Sequence, residues 1–263
     1  MKEKQIIAQP FELRGEGNAA LLFLHGFTGS PSEVSPTAVL LHERYGFTVS
    51  GIMLPGHGTT PEDLDNTSWR DWTAAVENEL TRLGSMYQHL FVGGLSMGGL
   101  LSLYIPTQQE QISGVISINA PIFVKNPCTT SWFVSALTPL LGLIKPYYPK
   151  AGIENGLELE KLGRQAYHCY PLKAFGNMLK LRRLVLGGLN FIRCPVLLMQ
   201  SMQDEVVNEG SGRYLANRLK NAQVNYVELE HSEHVATMGA EKALIAETIG
   251  QFMARTIETK GDS

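Results

Sequence analysis

Residues 93–99 read Gly-Gly-Leu-Ser-Met-Gly-Gly and contain Gly94-x-Ser96-x-Gly98, directly after an apolar run and directly before a helical pattern. A strand that turns at once into a helix holds its middle residue in a strained, exposed conformation. Glycine is needed on both sides, because side chains there would collide with the neighbouring strand and helix. Such a turn lifts the Ser96 hydroxyl above a sheet and aims a helix N-terminus at it, the setting of a nucleophile. Two other uses of a glycine-rich turn fail on the residues themselves. A phosphate-binding loop needs Gly-Lys followed by Ser or Thr, whereas Gly99 precedes Leu100 and Leu101, and no Gly-x-Gly-x-x-Gly frame fits a dinucleotide. The bland alternative, an incidental serine in a glycine-rich turn, is weakened by the strand-turn-helix context.

A nucleophilic serine needs a base, and the base needs a carboxylate to orient it. In an open α/β sheet both should lie on loops at the carboxyl ends of later strands. After the apolar run Pro195–Gln200 comes Ser-Met-Gln-Asp204-Glu205-Val-Val, and after Val224–Leu229 comes Glu-His231-Ser-Glu-His234-Val. The order Ser, acid, His is the one this architecture uses. Asp204 is the preferred acid, as the first carboxylate after its strand, while Glu205 and Glu209 read as solvated loop residues. The base is His231 or His234, with position favouring His234 slightly. His25 and His57 precede the serine and suit structural or pocket-lining roles.

Attack on a carbonyl also requires donors for the developing oxyanion. The Met97 N–H, at the helix N-terminus, is one natural donor. The second should come from the loop after the first core strand, His25-Gly26-Phe27-Thr28-Gly29. The Phe27 N–H is the expected donor there, with the Phe27 ring and His25 against the substrate. The competing reading takes this run as merely a tight turn into a helix.

These residues need a frame. Ala19–Leu24, Phe47–Ile52, Leu90–Val92, Gly114–Asn119, Pro195–Gln200 and Val224–Leu229 read as strands. Trp69, Trp72, Val76, Leu80 and Leu83 recur at helical spacing behind a cap at Thr67 or Ser68, and a helix from about Gly98 to Tyr104 stops before Pro106. Glu241–Arg255 is an amphipathic final helix. Strands alternating with helices imply βαβ units and a mainly parallel sheet covered on both faces, an α/β class. From about Pro121 to Leu189 the strands stop, prolines and glycines multiply and mixed helical fragments appear, which suggests an insertion rather than one long structureless loop. The expected organisation is a core of residues 1–120 and 191–263 with a cap of residues 121–190.

Composition excludes other classes. The chain has 263 residues, 44% hydrophobic and 18% charged, with 22 basic against 25 acidic side chains. Intrinsic disorder does not fit the apolar fraction, and no basic footprint for nucleic acid exists. The longest apolar region, Trp132 to Tyr148, is broken by Pro139, Lys145 and Pro146, so stable membrane insertion is not expected. No leader-like apolar stretch follows Met1, and Cys128, Cys169 and Cys194 are scattered without metal spacing. A cytoplasmic protein with reduced thiols is the expectation.

With these residues in view, the chain resembles the α/β-hydrolase superfamily, and more narrowly the small bacterial carboxylesterases and monoacylglycerol lipases. The matching pieces are HGFTGSP (His25–Pro31), GHGTTPEDL (Gly56–Leu64), GLSMGG (Gly94–Gly99), INAPI (Ile118–Ile122), QDEVV (Gln203–Val207) and SEHVATM (Ser232–Met238). The resemblance implies Ser96 as nucleophile, Asp204 as acid and His234 as base, since the family's Ser-x-His-Val pattern falls on His234. It also implies Phe27 and Met97 as oxyanion donors, the Gly56–Gly58 segment beside the site, a hydrolase sheet of six or seven strands, and no metal or organic cofactor. The implied activity is hydrolysis of short- to medium-chain carboxylic esters through an acyl-enzyme. Monoacylglycerol lipases, thioesterases and serine peptidases would use the same triad. Dehalogenases and epoxide hydrolases of this fold use an aspartate where Ser96 stands, and a non-catalytic binding protein on the same fold is the remaining class. The expected partner is a small ester, and the apolar run Trp132, Phe133, Val134, Leu137, Leu140, Leu141, Leu143 and Ile144 is expected to form the acyl-binding side. Oligomeric state is not legible.

Overall fold

A computed structural model describes residues 7–108, 111–125, 146–150 and 158–261. Among them, nine strands follow in chain order: β1 (Phe11–Leu13), β2 (Ala19–Leu24), β3 (Thr48–Gly51), β4 (His89–Leu95), β5 (Ile112–Ile118), β6 (Tyr147–Pro149), β7 (Cys169–Pro171), β8 (Val196–Ser201) and β9 (Val224–Leu229). The helices are α1 (Ser35–Tyr45), α2 (Pro61–Asp65), α3 (Trp69–Gly84), α4 (Met97–Tyr104), α5 (Leu172–Gly188), α6 (Gly210–Arg218) and α7 (Lys242–Gly261). Seven strands form one sheet in the order β1-β3-β2-β4-β5-β8-β9. Every neighbouring pair is parallel except β1 with β3.

The apolar runs are continuous because both faces of the central strands are covered. Residue parity divides them. Ala20, Leu22 and Leu24 of β2 join Val92 of β4 and Val115 of β5 in one core, packed under Trp72, Val76 and Leu80 of α3 and Leu100 and Leu103 of α4. Leu21, Phe23, Phe91, Ile116 and Ile118 point the other way, onto Ala38 and Leu41 of α1 and Ile245, Ile249 and Phe252 of α7. Burying one such leucine or phenylalanine contributes about 1.5–3 kcal/mol. The tryptophan stripe of α3 faces the core as expected, with Trp72 fully buried. Ser68 caps that helix, its N–H donating to the Asp71 carboxylate at 2.8 Å.

Parallel register brings the strand ends together. Leu24 lies opposite Gly94, Leu95 opposite Ile118, Ile118 opposite Met199, and Ser201 opposite Leu229. The loops that carry His25–Gly29, Ser96, Asp204 and His234 therefore leave one edge of the sheet, the edge where parallel sheets bind ligands.

Three strands are absent from the sequence reading. β1 is an added edge strand. Two short strands, β6 and β7, pair antiparallel inside the stretch where none was expected. Helix α5 sits in that stretch too, yet Ala174, Leu181 and Val185 join the core under α3 and α4. The Asp65 carboxylate accepts the N–H groups of Lys173 and Ala174 at 2.9 and 3.1 Å, capping the start of α5 from α2. An anion there satisfies orphan donors and suits the helix dipole. Residues 121–190 thus contain a helix of the core layer. The apolar run 132–144 and Cys128 lie outside the described residues.

Candidate active site

Ser96 joins β4 to α4 with φ 56° and ψ −115°, a left-handed conformation that costs a non-glycine residue roughly 1–3 kcal/mol. Its flanking glycines are there for space. A Cβ on Gly98 would lie 2.3 Å from the Leu24 carbonyl oxygen, and one on Gly94 would lie 2.3 Å from the Gly98 carbonyl carbon. The Ser96 N–H donates to the Ile118 carbonyl at 2.8 Å, tying the turn to β5.

The structure brings Ser96, His234 and Asp204 into one line. Ser96 Oγ is 3.0 Å from His234 Nε2, and His234 Nδ1 is 2.8 Å from Asp204 Oδ2. A carboxylate only accepts, so Nδ1 carries the proton and Nε2 presents a lone pair to the serine hydroxyl. Asp204 is held in turn, its Oδ1 accepting the N–H groups of Val206 and Val207, both at 2.8 Å. Burial pushes the His234 imidazole toward neutrality, but the Asp204 carboxylate, helped by Glu205 and Glu33, more than reverses this and leaves its pKa above the usual histidine value. His231 is exposed at the other end of the loop. There Glu241 accepts the His231 N–H and the Ser232 hydroxyl, pinning the loop to the start of α7.

The loop after β2 runs beside the serine, since a Cβ on Gly26 would lie 3.4 Å from Ser96 Cβ. It turns tightly, with Gly29 N–H donating to Gly26 O at 3.1 Å and Thr28 at φ 67°. Met97 and Phe27, the expected oxyanion donors, stand at the first residue of α4 and in this turn. Among the described residues, neither N–H donates to a backbone carbonyl outside the regular elements. The Phe27 ring stacks on Tyr170 at 6.3 Å and meets His57, Trp72 and Phe175 at 6.1–6.2 Å. Of the two roles expected of His25, the structural one fits its surroundings rather than contact with a substrate. It is fully buried, Nδ1 bonding Gly26 O at 2.9 Å and Nε2 accepting the Leu54 N–H at 3.1 Å, so both nitrogens brace backbone. His57 Nδ1 bonds Pro55 O at 3.1 Å, and its buried Nε2 has no partner among the described residues. Burial keeps that ring neutral.

This geometry coincides with the comparisons. A family model described as serine aminopeptidase S33, of the Hydrolase_4 type, matches residues 15–239. The chain belongs to this hydrolase family. It is 31% identical over 248 residues to a thermostable monoacylglycerol lipase of Bacillus sp. (strain H-257), covering 94% of this chain and 95% of that one. It is 27% identical over 253 residues to a carboxylesterase of Bacillus subtilis (strain 168), covering 96% and 98%. A solved structure described with the metagenome-derived lipolytic enzymes LipS and LipT superposes with a TM-score of 0.82 at 29% identity, covering 94% and 98%. The fold is the α/β-hydrolase fold.

Two residues of this hydrolase's site escaped sequence reasoning. Asn119, at φ 50° after β5, binds the His234 loop and β8 together. Glu33 is a carboxylate only 2% exposed that accepts the Gly26 N–H at 2.9 Å. Burial raises its pKa, and the Arg164 guanidinium with the Gly26 N–H more than reverses this, so it stays ionised. Among the described residues, no group of three His, Cys, Asp or Glu is placed to hold a metal ion, and no helix is long and apolar enough to cross a membrane.

Proposed function

We propose that this hydrolase cleaves small carboxylic esters, with short- to medium-chain acyl groups, through an acyl-enzyme on Ser96. His234 Nε2 takes the serine proton as Oγ attacks the ester carbonyl. Asp204 holds the tautomer and stabilises the imidazolium that forms. The oxyanion is met by the N–H groups of Phe27 and Met97. Collapse of the tetrahedral intermediate expels the alcohol, which receives the proton from His234. Water then attacks the acyl-enzyme by the same route and releases the acid. The observation that carries the reading is the pair of hydrogen bonds joining Ser96 Oγ to His234 and His234 to Asp204, at 3.0 and 2.8 Å.

The family description raises the reading of an aminopeptidase. Such an enzyme must bind a substrate ammonium. The charges that reach the Phe27 turn and its Glu33 from the insertion are cationic, Lys150 Nζ at 2.5 Å from Thr28 Oγ1 and the Arg164 guanidinium on Glu33 Oε1. The ring cluster of Phe27, Trp72, Tyr170 and Phe175 suits an apolar substrate group. The names of the two Bacillus relatives support esters, with monoacylglycerols as candidate substrates. We read the compartment as the cytoplasm, for which the unpaired thiol of Cys169 is the support.

The test is a panel of p-nitrophenyl esters of rising chain length, a monoacylglycerol and an aminoacyl anilide, with fluorophosphonate labelling read by mass spectrometry. Turnover of esters above the anilide and an adduct on Ser96 are expected. An adduct elsewhere, or a preference for the anilide, overturns the reading.

A further inference from the structure

Under the reading that the Phe27 N–H is an oxyanion donor, the peptide unit between Gly26 and Phe27 is the one whose orientation decides catalysis. Its carbonyl, Gly26 O, accepts from Gly29 N–H at 3.1 Å and bonds His25 Nδ1 at 2.9 Å. The amide before it, Gly26 N–H, donates to Glu33 Oε2 at 2.9 Å. Glu33 is therefore the anchor of this peptide, and the insertion holds the anchor. Arg164 Nε and Nη2 both donate to Glu33 Oε1, at 2.9 and 2.7 Å.

Five further bonds fasten the insertion to this turn and to the neighbouring loop at Gly56–Thr59. Gln165 N–H donates to Ser32 Oγ at 2.9 Å and Tyr167 N–H to Thr28 O at 2.9 Å. The Tyr167 hydroxyl donates to Gly56 O and accepts Thr59 N–H, both at 2.9 Å. Lys150, whose own N–H donates to His168 O at 3.1 Å, reaches Thr28 Oγ1. From the other side, Glu33 O accepts the Thr237 hydroxyl, three residues past His234. Through these bonds residue 33 links the oxyanion turn, the insertion and the loop of the base.

We propose that residues 164–168 form a clamp that fixes the Phe27 N–H for the oxyanion, with Arg164 and Glu33 as its positioning residues. Neither touches the reacting atoms. The pair works because the planar guanidinium delivers two parallel N–H groups to one buried carboxylate oxygen, and the carboxylate then presents its other oxygen to Gly26 at a fixed angle. Without Arg164, Glu33 is a buried charge lacking its main partner. It must protonate or draw in water, and either change shifts Gly26 and the peptide after it. A donor displaced by an ångström or less weakens binding of the tetrahedral oxyanion while leaving the planar ester nearly unaffected.

The test uses the full chain with Arg164→Gln, Arg164→Lys and Tyr167→Phe. Steady-state kinetics on p-nitrophenyl butyrate are paired with inhibition by a trifluoromethyl ketone, which forms the tetrahedral adduct. For Arg164→Gln, kcat is expected to fall about 10- to 100-fold with KM within about threefold. Affinity for the ketone should weaken in step with kcat/KM, since the clamp acts on the tetrahedral adduct rather than on the planar ester. Arg164→Lys should recover part of the loss. Tyr167→Phe should give a smaller loss of the same kind, and it keeps the proposal testable if Arg164→Gln does not fold. Unchanged kcat in folded variants, a rise in KM alone, or a loss of kcat without loss of ketone affinity overturns the clamp. Wild type that turns over no ester, or is labelled away from Ser96, overturns the reading beneath it as well. Wild type that behaves as expected beside an unaffected Arg164→Gln overturns the clamp alone.

Discussion

Asn119 Nδ2 donates to the main-chain oxygen of His234 at 2.9 Å, across 115 residues of sequence. The same amide group donates to Ser201 Oγ at 2.8 Å, and its oxygen accepts the Ser201 N–H at 2.7 Å. One fully buried side chain thus fastens the His234 loop to the ends of β5 and β8. Asn119→Ala leaves the Ser201 N–H and the His234 carbonyl without that partner, and alanine tolerates the φ of 50° less well. A loss of about 1–3 kcal/mol in urea unfolding is expected. kcat should fall more than KM rises, because the imidazole loses its fixed height above Ser96. A variant as stable and as active as wild type would show that Glu241, which accepts the His231 N–H, and Glu205, which accepts the His234 N–H at 3.2 Å, suffice to hold the loop.

The pH profile follows from the charges around His234. The imidazole must be neutral to accept the serine proton, so activity is lost as pH falls through its pKa. Burial alone would lower that pKa, and Asp204, Glu205 and Glu33 raise it above the ordinary 6.5. The acid limb of kcat/KM should therefore lie above that of a free imidazole. Asp204→Asn removes the largest raising influence and leaves burial to act. Its limb should move to lower pH while kcat drops by about 10⁴-fold, since the amide can stabilise the wrong tautomer. A limb that stays in place in Asp204→Asn would mean that another group controls it.

The two histidines of one loop should behave oppositely. His234→Ala should cost about as much activity as Ser96→Ala, because members of a linked set fail together. His231→Ala should change kcat/KM by less than about twofold, as an exposed side chain whose loop is held through its main chain rather than its ring. Comparable losses in both variants, at unchanged folding, would disprove this division.

How much of this was readable beforehand depends on the range over which each feature is determined. Ser96 and Asp204 stand just past strands that are buried almost throughout, and His234 follows a partly buried edge strand, all of them visible locally. β4 was read as Leu90–Val92 and extends over His89–Leu95, because Gly93 and Gly94 lack strand propensity and are there for close packing. β1 is three residues long and carries no period to detect. Glu33 follows Ser-Pro-Ser with no pattern that marks it as buried, and its carboxylate is paired with Arg164, 131 residues away in sequence. His25 carries the motif spacing of a site residue, yet Leu54 and Gly26 take both its nitrogens. Features fixed by pairings between distant segments are invisible to a local window.

Two glycine substitutions should separate space from propensity. Gly98 lies in α4, where alanine would ordinarily favour the helix by about 1 kcal/mol. Its added Cβ would stand 2.3 Å from the Leu24 carbonyl oxygen and 2.8 Å from the His25 carbonyl oxygen, both backbone atoms of the central sheet and the oxyanion turn. Neither can retreat without breaking the register of β2 against β4, so Gly98→Ala should lose several kcal/mol or fail to fold. Gly187, near the end of α5, is exposed, and a Cβ there meets nothing within 4 Å. Gly187→Ala should leave activity unchanged and raise stability by up to about 1 kcal/mol. Thermal unfolding of both variants beside wild type decides the matter. A well-folded, fully active Gly98→Ala would show that α4 can move off β2, and the requirement for glycine at the serine turn would then need a cause other than packing.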